Sequence, residues 1–374
     1  MKVSLGKVLS SKRKAKRITQ QELADFVGVS KTSVSKWENG QTYPDITLLP
    51  LLAAYFDVSI DALLNYEPEL SKEEIQHIYL SIQKSFDTQS AEEVWEQLNS
   101  FIHRYYSCYP FILQMGMLLL NHYDLLPGEN TQEKADKYLG EALKLFIHIR
   151  VNTQDIKLIN EATKMEAYCL LVLKRPDEVL DILGQYVPTH LPADDLIVGA
   201  FHLKGDPVKA EATSQSGIFQ NLFILISSMT NYLQLLLKDP VKLDTTYQRE
   251  LMIIETFNIE ALNPAIALNF CLSAASVHAL IGNKELLFND LNRSLAILQK
   301  NKDSLLFKPD DYFDRVQDWL DQQALGNQPP RNAHQVVESI SSFILTHPSL
   351  DIYREEEEMK QIINQLTEIR ERRS

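Results

Sequence analysis

The 374-residue sequence is poor in the residues that build cross-linked or metal-bound folds. Its three cysteines, Cys108, Cys169 and Cys271, are odd in number, far apart and set among apolar helical residues. They form neither a disulfide framework nor a CxxC metal motif, so we expect buried thiols in a reducing compartment. The nine histidines include no pair at ligand spacing. The sequence therefore predicts no metal site and no cofactor.

The short motifs of common enzymes are also missing. There is no GxxxxGK[ST] phosphate loop and no GxGxxG, HExxH or GxSxG, which removes the usual nucleotide, zinc-protease and hydrolase signatures. Carboxylates are abundant, but a run such as Glu355–Glu358 is typical of a solvated helix start that complements the helix dipole. We expect no catalytic residues and no enzymatic activity.

Long apolar runs are absent as well. No stretch approaches the roughly 18 apolar residues of a membrane span, and the N-terminal MKVSLGKVLSSKRK has no apolar signal core. These absences predict a soluble, cytoplasmic protein without a membrane partner.

Charge is unevenly divided along the chain. Residues 1–66 hold nine Lys or Arg against six Asp or Glu, a net of +3, and because the whole chain carries −13 the remainder carries −16. A basic N-terminal segment on a strongly acidic body confines attraction for a polyanion to that segment.

The stretch TQQELADFVGVSKTSVSKWENG, which begins at Thr19, predicts two short helices. Thr19 and Glu22 form the capping-box pattern of a helix start, and Ser30 is the N-cap of the next helix. Gly28 between them suits a tight turn. Two short helices joined in this way form a helix-turn-helix, whose second helix can enter the major groove of DNA.

This pattern resembles the phage-repressor-like (Xre-type) helix-turn-helix family. The shared elements are TQxELA, VGVS and VSxWENG, followed by Pro44, a helix and FDVSIDALL, and they cover about residues 4–66. The resemblance implies a five-helix DNA-binding domain over residues 1–66, which we call the head. Members of the family usually bind a near-palindromic operator as a homodimer.

The resemblance also implies which side chains contact double-stranded DNA. Gln20 would brace a backbone phosphate and neighbouring side chains, and Asn39, with Gly40 suited to a left-handed helix end, would hold a phosphate. Lys31 and Lys36 would donate to guanine, although Lys36 also fits an ordinary solvated lysine. The full DNA-binding set is Arg17, Gln20, Lys31, Thr32, Ser33, Lys36 and Asn39.

Beyond a Pro-broken linker at residues 67–70, the sequence predicts only helices over residues 71–374, which we call the body. Capping boxes at Ser71 and Ser90 begin two of them. Further amphipathic segments predict separate helices at 207–212 and 215–237 and one at 309–324. Tight junctions such as those at Gly205 and Gly282 recur at intervals near those of tetratricopeptide repeats, so we expect a degenerate tetratricopeptide-like superhelix with a concave surface.

A repressor-like head on such a body resembles the peptide-pheromone-responsive regulators of Gram-positive bacteria, in which Asn side chains hold an extended peptide. Asn121, Asn231, Tyr232 and Asn269 are the corresponding candidates here. We therefore expect a dimeric, sequence-specific transcriptional regulator whose DNA binding responds to a peptide, a small molecule or a protein partner. The alternative is a protein-interaction module that the head anchors on DNA.

Overall fold

The computed structural model describes residues 5–64, 69–187, 192–301 and 305–371. Within these ranges every regular element is helical and no strand occurs. The all-α fold, with a helix-turn-helix head and a helical body, is confirmed. The N-terminal part of the predicted linker at 67–70 lies outside the described residues, so the domain boundary stays a prediction.

The head is a bundle of five short helices around one small apolar core. Leu9, Leu23, Val34, Leu52 and Leu63 are completely buried at its centre. The helices are α1 (Leu5–Ala15), α2 (Gln20–Val27), α3 (Lys31–Glu38), α4 (Leu49–Phe56) and α5 (Ile60–Leu64).

Two local features fix α2 against α3. The capping box of Thr19 and Glu22 is formed in both directions, and the Ser30 hydroxyl accepts the Ser33 amide. Gly28 ends α2 with φ +74°, a left-handed conformation that glycine adopts without steric cost. The sequence therefore encodes the start of both helices and the turn between them.

Gly6 allows α1 to pack directly on the end of α3. A Cβ at this position would lie 2.2 Å from the carbonyl oxygen of Trp37 and 2.9 Å from that of Glu38. These are backbone atoms that cannot move aside independently of their helix. Any larger residue at position 6 would push the two helices apart.

The first part of the body packs around its own apolar cluster, which runs from Ile75 to Leu170. The capping boxes predicted at Ser71 and Ser90 are both formed. A π-helical segment, Ala135–Leu139, joins two of the helices. The helices of this part are α6 (Lys72–Ser85), α7 (Ala91–Arg104), α8 (Tyr109–His122), α9 (Thr131–Lys134), α10 (Gly140–Asn152), α11 (Ile156–Val172) and α12 (Pro176–Leu183).

The second part packs around another cluster, which runs from Phe219 to Ile369. Consecutive helices form hairpins, most extensively α13 with α14 and α17 with α18. They are α13 (Asp194–Leu203), α14 (Pro207–Leu235), α15 (Pro240–Thr256), α16 (Ile259–Leu262), α17 (Pro264–Ile281), α18 (Lys284–Lys300), α19 (Gln317–Leu320), α20 (Ala333–Thr346) and α21 (Glu357–Glu371).

Two predictions about the helices of the body were wrong. The segments 207–212 and 215–237 form the single 29-residue helix α14, because the polar residues between them do not interrupt its backbone hydrogen bonds. The segment 309–324 is helical only at α19. Before α19, the carboxylate of Asp310 accepts hydrogen bonds from the backbone amides of Tyr312 and Phe313, both at 3.1 Å. This turn competes with helix formation.

The two parts of the body are joined by polar contacts far apart in sequence. Residues 329–339, which we call the C-terminal clasp, return to the first helices of the body. Gln83 in α6 donates to the carbonyls of Pro329 and Pro330, and Arg331 donates to the Asn121 carbonyl at 2.6 Å. The clasp thus closes the body across more than 200 residues of chain.

All three cysteines are buried and free, as expected from the sequence. Burial raises the pKa of Cys169 to about 12, which keeps that thiol protonated and unreactive. Among the described helices, Pro264–Ile281 is long and apolar enough to cross a membrane, but more than half of it is buried inside the protein, as in a core helix.

Candidate nucleic-acid interface

The exposed face of α3 carries the polar side chains that the sequence pointed to. Lys31, Thr32 and Lys36 are exposed, while Val34 and Trp37 on the opposite side are 0% and 5% exposed. The helix therefore presents two cations and a hydroxyl outward and is anchored by its apolar side. The helical spacing places Thr32 and Lys36 one turn apart on the same face.

Ser33 is committed in part to the local structure. Its hydroxyl lies 2.9 Å from that of Ser30, and its amide donates to the Ser30 hydroxyl. The side chain is only half-buried. Ser33 therefore belongs to the N-terminal cap of α3, and only the exposed part of its side chain can contact a ligand.

A buried ion pair holds α3 against the rest of the head. The guanidinium of Arg13 donates to both carboxylate oxygens of Glu38, at 2.6 and 2.9 Å, and to the carbonyl of Ile18. Burial of Glu38 opposes its ionisation, but the hydrogen bonds from Arg13 and Gln20 hold its pKa below the ordinary value. Bidentate pairs of this kind fix orientation as well as distance. The pair therefore sets the angle of the presented helix.

Gln20 lies at the start of α2 and contacts the same carboxylate. Its amide donates to the second oxygen of Glu38 at 2.9 Å. This contact is the bracing of a neighbouring side chain that the resemblance implied, and contact with a phosphate stays a prediction. The sequence argument missed Glu38 itself. Glu38 is the one acidic residue of α3, and its partner Arg13 lies two helices earlier in the chain, so no local spacing links them.

The cationic cluster at 12–17 is not a single uniform surface. Arg13 points inward to Glu38, and Lys16 donates to the Tyr55 carbonyl while lying 4.7 Å from the centre of the Tyr55 ring. Arg17 is exposed and ends α1 in a left-handed conformation with φ +59°. Lys12 and Lys14 are also exposed. Three cations of the cluster are thus free to meet an anion, and two serve the fold.

The left-handed end predicted for α3 at Asn39 and Gly40 is formed by Gly40. Gly40 takes the left-handed conformation with φ +69°, whereas Asn39 has φ −87°. The Asn39 side chain is exposed beside α3. It stays a candidate phosphate contact at the edge of the helix.

The structure does not bring the four predicted effector residues into one site. Asn121 lies in the first part of the body, where its amide donates to the Met117 carbonyl of its own helix. Asn231, Tyr232 and Asn269 lie in the second part and are exposed on α14 and α17. The Asn121 side chain thus has a contact within its own helix, and an effector-binding role of any of the four residues stays a prediction.

A short helix with an outward cationic face, set on a supporting helix by a tight glycine turn, defines a helix-turn-helix DNA-binding domain. The family model described as helix-turn-helix matches residues 9–63. The chain is 38% identical over 69 residues to the HTH-type transcriptional activator BcrR of Enterococcus faecalis. That match covers 18% of this chain and 34% of the activator.

Two further relatives are similar to part of the chain. Identity is 32% over 79 residues with the antitoxin PezA of Streptococcus pneumoniae, covering 21% of this chain and 50% of PezA. It is 30% over 99 residues with the cryptic phage CTXphi transcriptional repressor RstR of Vibrio cholerae, covering 26% of this chain and 86% of RstR. The chain thus belongs to the helix-turn-helix family of transcriptional regulators, as its motifs predicted, although it spans only a third to a half of the first two relatives.

Solved structures overlap with the chain only loosely. Bacillus thuringiensis PlcR, in complex with the peptide PapR7 and DNA, is 12% identical with a TM-score of 0.31 and covers 80% of this chain and 95% of its own. The apo form of ComR from S. thermophilus is also 12% identical, with the same coverage and a TM-score of 0.25. At this level of similarity, the function of the body has to be argued from its own residues.

Proposed function

We propose that this protein is a cytoplasmic, sequence-specific transcriptional regulator that binds a near-palindromic double-stranded operator as a homodimer. The observation that carries the proposal is the outward face of α3, with Lys31, Thr32 and Lys36 exposed on a helix that Glu38 and Arg13 hold in place. Lysines on such a face can donate to guanine O6 and N7, and Thr32 can contact a thymine methyl. No catalytic step is needed.

A dimer follows from the size of the head. One small domain offers few phosphate contacts, and affinity for DNA rises with each one. Two copies related by a two-fold axis would read half-sites about one helical turn apart. The exposed Arg17 and Asn39 and the half-buried Gln20 would then contribute phosphate contacts beside each recognition helix.

The body would make this binding conditional. An effector that prefers one arrangement of the body changes operator affinity by its differential affinity for the two arrangements. The rival interaction-module reading is less favoured, because the activator and the repressor matched by the head are themselves regulators of transcription.

The test is an unbiased selection of DNA fragments bound by the full chain at about 150 mM salt. We expect a near-palindromic site to be enriched by the natural protein. Replacing Thr32 and Lys36 together by Ala should abolish or redirect the selection, whereas Lys164→Ala, which removes an exposed lysine of α11, should not. Unchanged selection by the α3 variant would refute the assignment of α3.

A further inference from the structure

Helix α14 presents an outer surface without charge on a strongly acidic protein. No Asp, Glu, Lys, Arg or His occurs from Thr213 to Leu235, whereas the whole chain has a net charge of −13. A helix at the surface of a globular protein normally carries charged and polar residues on its outer side. The outer side of α14 thus departs from that of an ordinary surface helix.

The outward residues of α14 form a stripe at heptad spacing. On the inner side of the helix, Phe219, Ile226 and Leu233 are buried in the core of the second part of the body. The outer residues recur at alternating intervals of three and four, the spacing found where two helices pack side by side. They are Ile218, Asn221, Leu225, Ser228, Tyr232 and Leu235, which we call the α14 stripe, and all are exposed.

The apolar members of the stripe are exposed to a degree that indicates a contact surface. Leu225, Tyr232 and Leu235 are 47%, 44% and 79% exposed. Single exposed leucines are ordinary, but a contiguous apolar surface on a folded domain marks an interaction site. The adjoining α13 also exposes Leu196 and Leu203. Together the two helices offer a broad surface, as a stable interface of on the order of 1,000 Å² requires.

The absence of charge on the α14 stripe selects its partner. A nucleic acid would find no cation there, and a basic protein would find no carboxylate. A second copy of the chain brings the same net charge of −13. Because like charges repel, two copies approach at the lowest electrostatic cost through a surface that carries no charge.

The α14 stripe also complements itself in an antiparallel arrangement. If the two-fold axis passes between Leu225 and Ser228, Leu225 of each copy meets Ser228 of the other, so that a large side chain faces a small one. Asn221 then meets Tyr232, and the apolar ends of the stripe meet each other. A parallel pair would place Ser228 on Ser228 and Tyr232 on Tyr232, which leaves a gap at one level and crowding at another, contrary to close packing.

We propose that the α14 stripe is the surface through which two copies of this chain form an antiparallel homodimer. This inference rests on the proposed function, because it names the interface of the dimer that would read a two-fold operator. Tyr232, which the sequence predicted as an effector contact, would then be covered by the second copy.

The experiment places a charge next to the two-fold axis of the full-length protein. Ser228→Glu and Ser228→Lys each change an exposed helix position to a residue that favours a helix at least as well as serine. Alone, each variant should dimerise at least about tenfold more weakly than the natural protein, because its like charges meet across the axis. An equal mixture of the two variants should recover the dimer, as measured by analytical ultracentrifugation. Ser100→Glu and Ser100→Lys, at an exposed position of α7, are the controls and should leave dimerisation unchanged.

The salt dependence of dimerisation gives an independent measure. The proposed interface holds no ion pair and the two copies repel through their net charge, so raising NaCl from about 50 mM to about 500 mM should strengthen the dimer. Weakening of the dimer by salt would contradict the inference. A natural protein that stays monomeric at micromolar concentration, Ser228 variants that dimerise normally, or a mixture that does not recover the dimer would each overturn it. An apolar pentapeptide that binds the monomer and no longer binds Ser228→Glu would assign the stripe to an effector and overturn it as well.

The same preparations are used in the DNA selection. An operator enriched by the natural protein, together with dimerisation that the Ser228 variants leave unaltered, would refute the α14 interface and leave the regulator intact. A dimer that depends on Ser228 but enriches no operator would refute the regulator and retain the interface. The two failures are therefore distinguishable.

Discussion

The pair of Glu38 and Arg13 is the residue-level feature on which the head depends most. Their side chains are 5% and 13% exposed, and each is satisfied chiefly by the other. Removing one partner of a buried pair leaves an uncompensated charge, which typically costs about 3 kcal/mol. Glu38→Gln should therefore destabilise the head by about that amount and weaken DNA binding, as measured by urea unfolding followed by Trp37 fluorescence.

The matched control is the exposed pair Arg175 and Glu178, which has the same bidentate geometry at the surface. Glu178→Gln should change the free energy of unfolding by less than about 1 kcal/mol. Equal effects of the two substitutions would contradict the structural role assigned to Glu38.

Glu250 is a second residue with a measurable signature. It is fully buried between α14 and α15, and its carboxyl group lies within hydrogen-bond distance of the Thr230 hydroxyl, which also faces the Ile226 carbonyl. A hydroxyl has one proton to donate, so both contacts are satisfied best when Glu250 is protonated. Burial raises the pKa of Glu250 to about 7, in agreement with this arrangement.

A raised folded-state pKa makes stability depend on pH in a defined direction. Between the ordinary value of 4.5 and about 7, the folded protein keeps a proton that the unfolded chain releases. The free energy of unfolding should therefore fall as pH rises through this window and level off above it. Glu250→Gln should remove this slope and stabilise the protein at alkaline pH by on the order of 2–3 kcal/mol.

The measurement is chemical unfolding at a series of pH values, with the exposed Glu96→Gln of α7 as the control that keeps the slope. A variant that loses stability equally at every pH would show that the Glu250 carboxyl group stays ionised in the folded protein.

At the scale of helices, the contact between α1 and α3 can be tested through Gly6. Gly6→Ala places a Cβ against the Trp37 carbonyl, so α1 must shift. We expect a loss of more than about 2 kcal/mol, as for overpacked cores, together with loss of operator selection. Gly140→Ala, where a Cβ meets nothing within 4 Å, should be neutral or slightly stabilising. Thermal unfolding of both variants compares them directly.

The helices that could be predicted from sequence are those whose ends are encoded locally. Thr19, Ser71 and Ser90 each sit three residues before a glutamate, and each forms the predicted capping box. The segment 309–324 failed because tertiary contacts decide it. Phe313 is buried in the core, where its ring centre lies 5.2 Å from that of Phe219. The backbone amide of Arg315 donates to the side-chain oxygen of Gln215. Contacts a hundred residues apart leave no periodic signal.

Most residues of the candidate DNA interface could be named from the sequence, because they belong to one short motif. Lys31, Thr32 and Lys36 are exposed at the positions that the family resemblance implied for the outward face of α3. The buried partner of Arg13 was not predictable, since the contact depends on how separate helices approach one another. The contact between Arg331 and the Asn121 carbonyl was unpredictable for the same reason.

At the scale of the whole molecule, the hydrogen bonds of the clasp join the two parts of the body. Arg331 donates to the Asn121 carbonyl and the Ser339 hydroxyl, each at 2.6 Å, and to the carboxylate of Asp124. Beside it, burial lowers the pKa of His122 to about 4, so that ring is neutral and adds no competing charge at neutral pH. The clasp therefore connects the second part of the body to α6 and α8.

Arg331→Ala should separate the two parts of the body without unfolding either, because each has its own apolar core. Losing several charge-assisted hydrogen bonds should lower the free energy of clasp opening by about 2 kcal/mol or more. Hydrogen exchange should then accelerate in α8 and α20 while α17 and α18 stay protected. Arg354→Ala, which removes a half-buried partner of the exposed Asp351, is the control and should leave both rates unchanged. Uniform acceleration across all helices would show that the clasp supports global stability instead of joining two units.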